Sequence, residues 1–357
     1  MTRWGQSPLR HVPCYTVIRN GGVAEWLKAA VLKTVEPQGS VGSNPTASAI
    51  SSSTKTRPKG GHPFWSRFQN DEMERNVESI AYFDGNVGAP DELMVPFNDR
   101  SHFFGDGVYD ASIAAGGRVF LLEDHLDRFY SSAAAFKIAV PLSREELAEL
   151  LLDLLAKVSG PSHFVYWQVT RAFDGVRNHV FNADAPGKLW VLIAPEELGD
   201  PKTPLKLISL EDHRFEYCNV KTLNLLPSVM YATQAHDAGA DEAVLHRNGI
   251  VTECAHSNVE ILRDGVLYAH PNDQFILRGI AKTHLIQAAW RASVPVIERA
   301  FTLDELRDAD EVIVSSSSHF CVPANELDGQ PIGGRDPRTL RRLQEVVYQE
   351  YHDYCGV

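Results

Sequence analysis

From Ile80 onward the chain alternates short β-rich runs with helix-period runs, and a break rich in proline divides that alternation in two. This ordering restricts the fold to the α/β class. Ile80 to Phe83 predicts a strand, followed by a turn at Asp84-Gly85-Asn86. Val119 to Leu122 predicts a strand leading into a helix near Glu123. Leucines at 147, 150, 151, 154 and 155 predict an amphipathic helix over Arg144 to Val158. Phe164–Thr170 and Leu189–Ile193 are β-rich, and Ala194 to Pro204 reads as a linker. Beyond it, Asn248-Gly249 between Ala243-Val244-Leu245 and Ile250-Val251-Thr252 is a two-residue hairpin signal. A helix over Ile280–Ala292, a buried strand over Glu311–Val314 and a closing helix over Arg338–Tyr351 complete the pattern. The expectation is a small α/β domain over 73–195, a linker over 196–204 and a larger α/β domain over 205–357.

The first 72 residues stand outside this scheme. Arg3, Arg10, Arg19, Lys28, Lys33, Lys55, Arg57 and Lys59 face only Glu25 and Glu36 up to residue 61. Residues 37–61 are rich in Ser, Gly, Pro and Thr, a composition that cannot bury a core. A basic, Ser-rich, acid-poor segment fits an organellar transit peptide. Gly22-Val23-Ala24-Glu25-Trp26-Leu27-Lys28 and Val41-Gly42-Ser43-Asn44-Pro45-Thr46 instead resemble a serine tRNA gene read as protein. On that preferred reading the segment is spurious and Met73 is the start.

Composition excludes several classes of function. With 44% hydrophobic and 22% charged residues the chain is ordinary for a globular protein. A net charge of −12 without a basic stripe argues against nucleic acid as a partner. No apolar run is long enough to span a bilayer. Cys14, Cys218, Cys254, Cys321 and Cys355 are scattered and odd in number, which favours a reducing, cytoplasmic setting over a disulfide framework or a zinc site.

Two residues carry most of the chemistry. Lys221 sits among apolar neighbours in Val220-Lys221-Thr222-Leu223-Asn224-Leu225-Leu226. A lysine there is costly unless its amine is used, and bonding an aldehyde cofactor is one such use. Glu253 follows Val251-Thr252. A carboxylate of this kind can keep a pyridine nitrogen protonated, which pyridoxal 5'-phosphate chemistry asks of its protein.

The surrounding segments strengthen that reading. Phe104-Gly105-Asp106-Gly107-Val108-Tyr109, His125-Leu126-Asp127-Arg128, Gln168-Val169-Thr170-Arg171, the Lys221 run, Val251-Thr252-Glu253 and Leu277-Arg278-Gly279-Ile280 occur in that order. In order and spacing they resemble the class IV, or fold-type IV, pyridoxal-phosphate-dependent aminotransferases, and within them the D-amino acid aminotransferases. The resemblance runs from about Tyr82 to Asp353. It implies a two-domain α/β enzyme, a homodimer, with the cofactor in the cleft between domains.

Residue by residue, the resemblance makes Lys221 the covalent anchor and proton carrier and Glu253 the partner of the pyridine nitrogen. Arg128 matches the phosphate-binding arginine. Gly279-Ile280 opens a helix whose free N–H groups would face an anion. Ser316 and Ser317 would add hydroxyl donors, and Leu277 would pack near the cofactor ring. Arg177 and His179 match a loop that reaches across the dimer and, with Tyr109, grips the substrate α-carboxylate. Gly105 and Gly107 are expected in a tight turn beside the site.

Three departures stand out. Ala281 replaces a common threonine, Asp110 a common glutamate, and Cys254-Ala255-His256-Ser257-Asn258 a Gly/Ser-rich segment. The implied reaction moves the amino group of a D-amino acid, D-alanine first, to 2-oxoglutarate. A branched-chain L-aminotransferase and 4-amino-4-deoxychorismate lyase share the fold, and Arg177 with His179 argues against both. A cofactor-binding protein without turnover would need neither Lys221 nor Glu253.

Overall fold

The computed structural model describes residues 77–172, 175 and 177–357, which belong to one compact unit. The readings of residues 1–72 and of a start at Met73 lie outside the described residues. So do Phe173, Asp174 and Val176 of the loop carrying Arg177.

The first half is built on a six-stranded antiparallel sheet. Its elements are β1 (Ile80–Phe83), β2 (Asn86–Gly88), α1 (Arg100–Phe104), β3 (Gly107–Ala115), β4 (Arg118–Val119), α2 (Leu122–Ala135), α3 (Arg144–Leu155), β5 (Ser162–Thr170) and β6 (Lys188–Pro195). The strand order is β2-β1-β6-β5-β3-β4. The predicted strands and helices of this half are present, with ends shifted by a few residues. The helix expected to reach Val158 stops at Leu155, because the next N–H groups turn back to the carbonyls of Leu154 and Leu155. Its start is fixed by a capping box between Ser143 and Glu146. Its buried face, Leu147, Leu150, Leu151, Leu154 and Leu155, joins Leu126 and Phe129 of α2 and Trp167 of β5 in one core. Each fully buried leucine there contributes about 2 kcal/mol.

The chain then changes sheet between Pro195 and Leu205. The second half comprises β7 (Leu205–Glu211), α4 (Leu226–Asp237), β8 (Glu242–Arg247), β9 (Ile250–Cys254), β10 (Asn258–Arg263), β11 (Val266–Ala269), α5 (Ile280–Arg291), β12 (Val296–Glu298), α6 (Leu303–Arg307), β13 (Glu311–Ser315), β14 (Val322–Leu327), β15 (Gln330–Pro331) and α7 (Pro337–Cys355). Eight strands run in the order β12-β11-β10-β13-β14-β7-β8-β9, and β15 pairs with β14. The hairpin at Asn248-Gly249 forms as expected, with φ of 51° and 80° at the two turn residues. A further core joins the halves: Ile113, Ala115 and Phe120 pack with Leu285 of α5 and with Leu343, Val347 and Tyr351 of α7.

Candidate active site

A cavity of about 260 Å³ opens between the two sheets, lined by Tyr109 and Arg128 on one side and by Lys221, Glu253, Leu277, Gly279, Ile280 and Ser316 on the other. Eight of the eleven predicted site residues therefore meet at one place.

Lys221 is held by its backbone against β3. Its carbonyl accepts from the Tyr109 N–H at 3.0 Å, and the Leu223 N–H reaches the Gly107 carbonyl at 3.0 Å. Gly107 permits this approach, since a Cβ there would stand 2.5 Å from Leu223 Cδ1. Gly105 has φ +59° and ends α1, so both glycines serve the backbone as expected. The Lys221 side chain is half-buried, with Nζ 4.3 Å from the centroid of the Tyr109 ring. Tyr109 in turn stacks on Tyr166 at 5.4 Å.

Glu253, 5% exposed, projects from β9 into a ring of donors. Oε1 accepts from Arg214 Nη1 at 2.6 Å, and Oε2 from Asn258 Nδ2 at 3.0 Å and the Leu277 N–H at 2.9 Å. Burial raises its pKa, and Arg214 pulls it back. Arg214 is itself gripped by Asp212 at 3.0 Å on two nitrogens. Leu277 thus acts through its backbone as well as its side chain. Sequence reasoning missed Arg214, Asp212 and Asn258, although Asn258 lay in the Cys254–Asn258 segment singled out from the sequence.

At the other end Arg128 closes a fork on Asp110, with Nε 2.8 Å from Oδ2 and Nη2 2.6 Å from Oδ1. Its Nη1 reaches the Arg278 carbonyl at 3.2 Å. His125 Nδ1 adds a third contact to Asp110 at 2.8 Å. Burial opposes ionisation of Asp110, but the charges and hydrogen bonds of Arg128 and His125 hold it well below the usual carboxylate range. Asp110 is therefore a buried anchor that fixes Arg128. Beside it, α5 starts at Gly279 with no side-chain cap, leaving first-turn N–H groups for an anion. A Cβ on Gly279 would lie 1.9 Å from Asn258 Oδ1, so the helix start and the Glu253 clamp depend on this glycine.

Three predicted residues lie elsewhere. Ser317 Oγ donates to the Ala111 carbonyl at 3.1 Å and does not line the cavity, because the turn after β13 directs it toward β3. Arg177 and His179 are exposed and stand apart from the cavity of their own chain. The Arg177 guanidinium lies 4.9 Å from the Phe104 ring centroid and the His179 ring 5.0 Å from it. Arg100 fixes their loop through the Asn178 carbonyl at 2.7 Å.

Comparison with known proteins accords with this geometry. Residues 107–327 match the family described as Amino-transferase class IV. A D-alanine aminotransferase of Listeria monocytogenes is 39% identical over 274 residues, covering 74% of this chain and 94% of the relative. One of Staphylococcus epidermidis is 34% identical, covering 76% and 96%. Among solved structures, a branched-chain aminotransferase from Thermoproteus uzoniensis superposes with a TM-score of 0.69 at 24% identity, covering 78% of this chain and 95% of that one, a likeness of fold. With its two sheets, the cavity between them and these relatives, the chain belongs to the class IV aminotransferases and is an enzyme of the D-alanine aminotransferase type.

Proposed function

We propose that this enzyme is a pyridoxal-phosphate-dependent transaminase of D-amino acids, with D-alanine as donor and 2-oxoglutarate as acceptor. The observation that carries the reading is the placement of Lys221, Glu253 and Arg128 around one cavity. The residues present fit a flat ring with a phosphate at one end and a basic nitrogen at the other. Arg128, the α5 start at Gly279-Ile280 and Ser316 would hold the phosphate, and Glu253 the ring nitrogen. Ala281 offers no hydroxyl there, which costs about 1 kcal/mol of cofactor binding.

Bound there, pyridoxal phosphate supplies a carbonyl that links to amines and a ring that accepts electron density when an α-proton leaves. Lys221 Nζ then anchors the cofactor and carries the proton to and from the substrate α-carbon. Glu253 keeps a proton on the ring nitrogen. The two halves of the reaction alternate at one site, with donor released as its oxo acid before the acceptor enters.

The exposed position of Arg177 and His179 supports a homodimer in which this loop enters the cavity of a second copy. There Arg177, His179 and Tyr109 would grip the α-carboxylate, orienting the substrate so that Lys221 meets the α-proton of the D-enantiomer.

The test is a half-reaction panel on cofactor-loaded protein. D-alanine, L-leucine and L-glutamate are added separately and the absorbance of the bound cofactor is followed. Conversion by D-alanine alone is expected. Conversion by the L-amino acids would move the enzyme to the branched-chain type, and silence with all three would favour the lyase or a protein without turnover.

A further inference from the structure

The segment Cys254–Asn258 carries a feature the reaction above does not use. His256 lines the same cavity as Lys221. Its side chain is 64% exposed, yet its Nδ1 is pinned 2.8 Å from a carboxylate that is almost wholly buried, that of Glu242. Glu242 Oε2 also accepts from Ser257 Oγ at 2.5 Å, and Oε1 accepts from the N–H groups of Ala243 at 2.9 Å and Ala255 at 3.3 Å. One buried anion on β8 thus gathers residues 255, 256 and 257 and sets the imidazole on the open rim. With Nδ1 engaged, Nε2 is left for a ligand in the cavity.

The other cationic groups on the described lining are committed. Arg214 is held by Asp212 and Glu253, and Arg128, braced by Asp110, is assigned to the cofactor phosphate. Lys221 is assigned to the cofactor. The single carboxylate on the described lining, Glu253, is neutralised by Arg214. An anionic group arriving at the rim therefore finds one imidazole with a nitrogen to offer.

We propose that His256, aimed by Glu242, binds the distal carboxylate of a dicarboxylic 2-oxo acid and of the acidic D-amino acid formed from it, and so sets acceptor preference. The inference rests on the transaminase reading and deepens it. The hydrogen bond to Glu242 raises the imidazole above its ordinary pKa, against burial and the charge of Lys221, which favours the doubly protonated ring an anion needs. Glu242 is a positioning residue, since it touches His256 and not the ligand.

The experiment uses the cofactor-loaded full chain. Calorimetry gives the Kd of glutarate, a dicarboxylate, and of butyrate, a monocarboxylate of similar length. Steady-state kinetics give kcat/KM for 2-oxoglutarate and for pyruvate with D-alanine as donor. A charge-assisted hydrogen bond at a solvent-open rim predicts that His256→Ala lowers both dicarboxylate-to-monocarboxylate ratios by about tenfold. His256→Lys, which restores a cation without the ring, should recover part of both ratios. His256 is exposed, and without it Glu242 keeps Ser257 and two backbone N–H groups, so both variants should fold. Ratios that do not move in His256→Ala would overturn the proposal. If wild-type protein fails to react with D-alanine at all, the transaminase reading falls first; if D-alanine reacts and the ratios stay fixed, only the role of His256 falls.

Discussion

Arg214 Nη1 lies 2.6 Å from Glu253 Oε1, and both side chains are less than a tenth exposed. Paired charges at this depth are sensitive to the loss of either partner. With Arg214 gone, Glu253 keeps only the neutral donors Asn258 and Leu277 N–H, and burial drives it further toward the protonated acid. A protonated Glu253 cannot hold a proton on a ring nitrogen. Arg214→Met should therefore shift the acid limb of the D-alanine half-reaction to higher pH and lower the rate at neutral pH. It should also destabilise the protein by roughly 3–5 kcal/mol, because Asp212 loses its main counter-charge. A pH–rate profile and a urea titration measure the two effects; an acid limb that stays in place would remove Arg214 from the control of Glu253.

Lys221 and Arg177 offer a test of the shared site. Lys221→Ala should abolish turnover, and retained multiple turnover would overturn its role. Arg177→Ala should raise KM and reduce kcat/KM by about 2–4 kcal/mol equivalent. Arg177 is exposed on its own chain, so its removal should leave Tm nearly unchanged. If the loop serves a second copy, mixed dimers of the two variants hold one site with both residues intact. Co-refolding the two variants should then give activity above the level that either shows alone. No recovery from confirmed mixed dimers would place Arg177 outside the partner's site.

Much of this layout was legible in the residues, and the exceptions share a cause. The Asn248-Gly249 hairpin was readable because the turn requires positive φ at both positions, 51° and 80°, which that dipeptide tolerates. Helix α7 was readable from its stripe of Leu340, Leu343, Val347 and Tyr351. Helix α4 was not, because Leu226, Val229 and Met230 are exposed and form no buried period. The clamp on Glu253 escaped notice because Arg214 meets it across 39 residues of sequence, through a contact no local spacing encodes. Asp110 stood out in the sequence only as an aspartate where a glutamate is common, and only the fold shows that it anchors Arg128 and His125 together.

Gly279 links the two ends of the cavity. Its replacement by alanine would place a Cβ 1.9 Å from Asn258 Oδ1, so either Asn258 or the α5 start must move. Asn258 Nδ2 donates both to Glu253 at 3.0 Å and to the Leu277 carbonyl at 3.1 Å. Gly279→Ala should therefore weaken pyridoxal phosphate binding at least tenfold, which is about 1.4 kcal/mol or more. Equilibrium titration of apo-protein with the cofactor measures this. The double variant Gly279→Ala with Asn258→Ala relieves the clash but not the lost donor, and should regain only part of the affinity.

A last prediction concerns Glu260, which is wholly buried on β10. Ser315 Oγ donates to its Oε1 at 3.1 Å, while Oε2 has no partner among the described residues. Burial pushes its pKa up to about 7, and Lys282 and Ser315 only partly offset this. The folded chain therefore binds this proton more tightly than the unfolded chain, whose glutamate titrates near 4.3. Between those values the native state holds more protons than the unfolded one, so this group's contribution to stability falls as pH rises. Glu260→Gln keeps the acceptor for Ser315 and removes the titration. The stability of the variant relative to wild type should then increase from about pH 4.5 to 7, by up to roughly 3 kcal/mol for a shift of this size. Urea titrations of both proteins across that range measure the difference, and a difference independent of pH would show that Glu260 is ionised throughout.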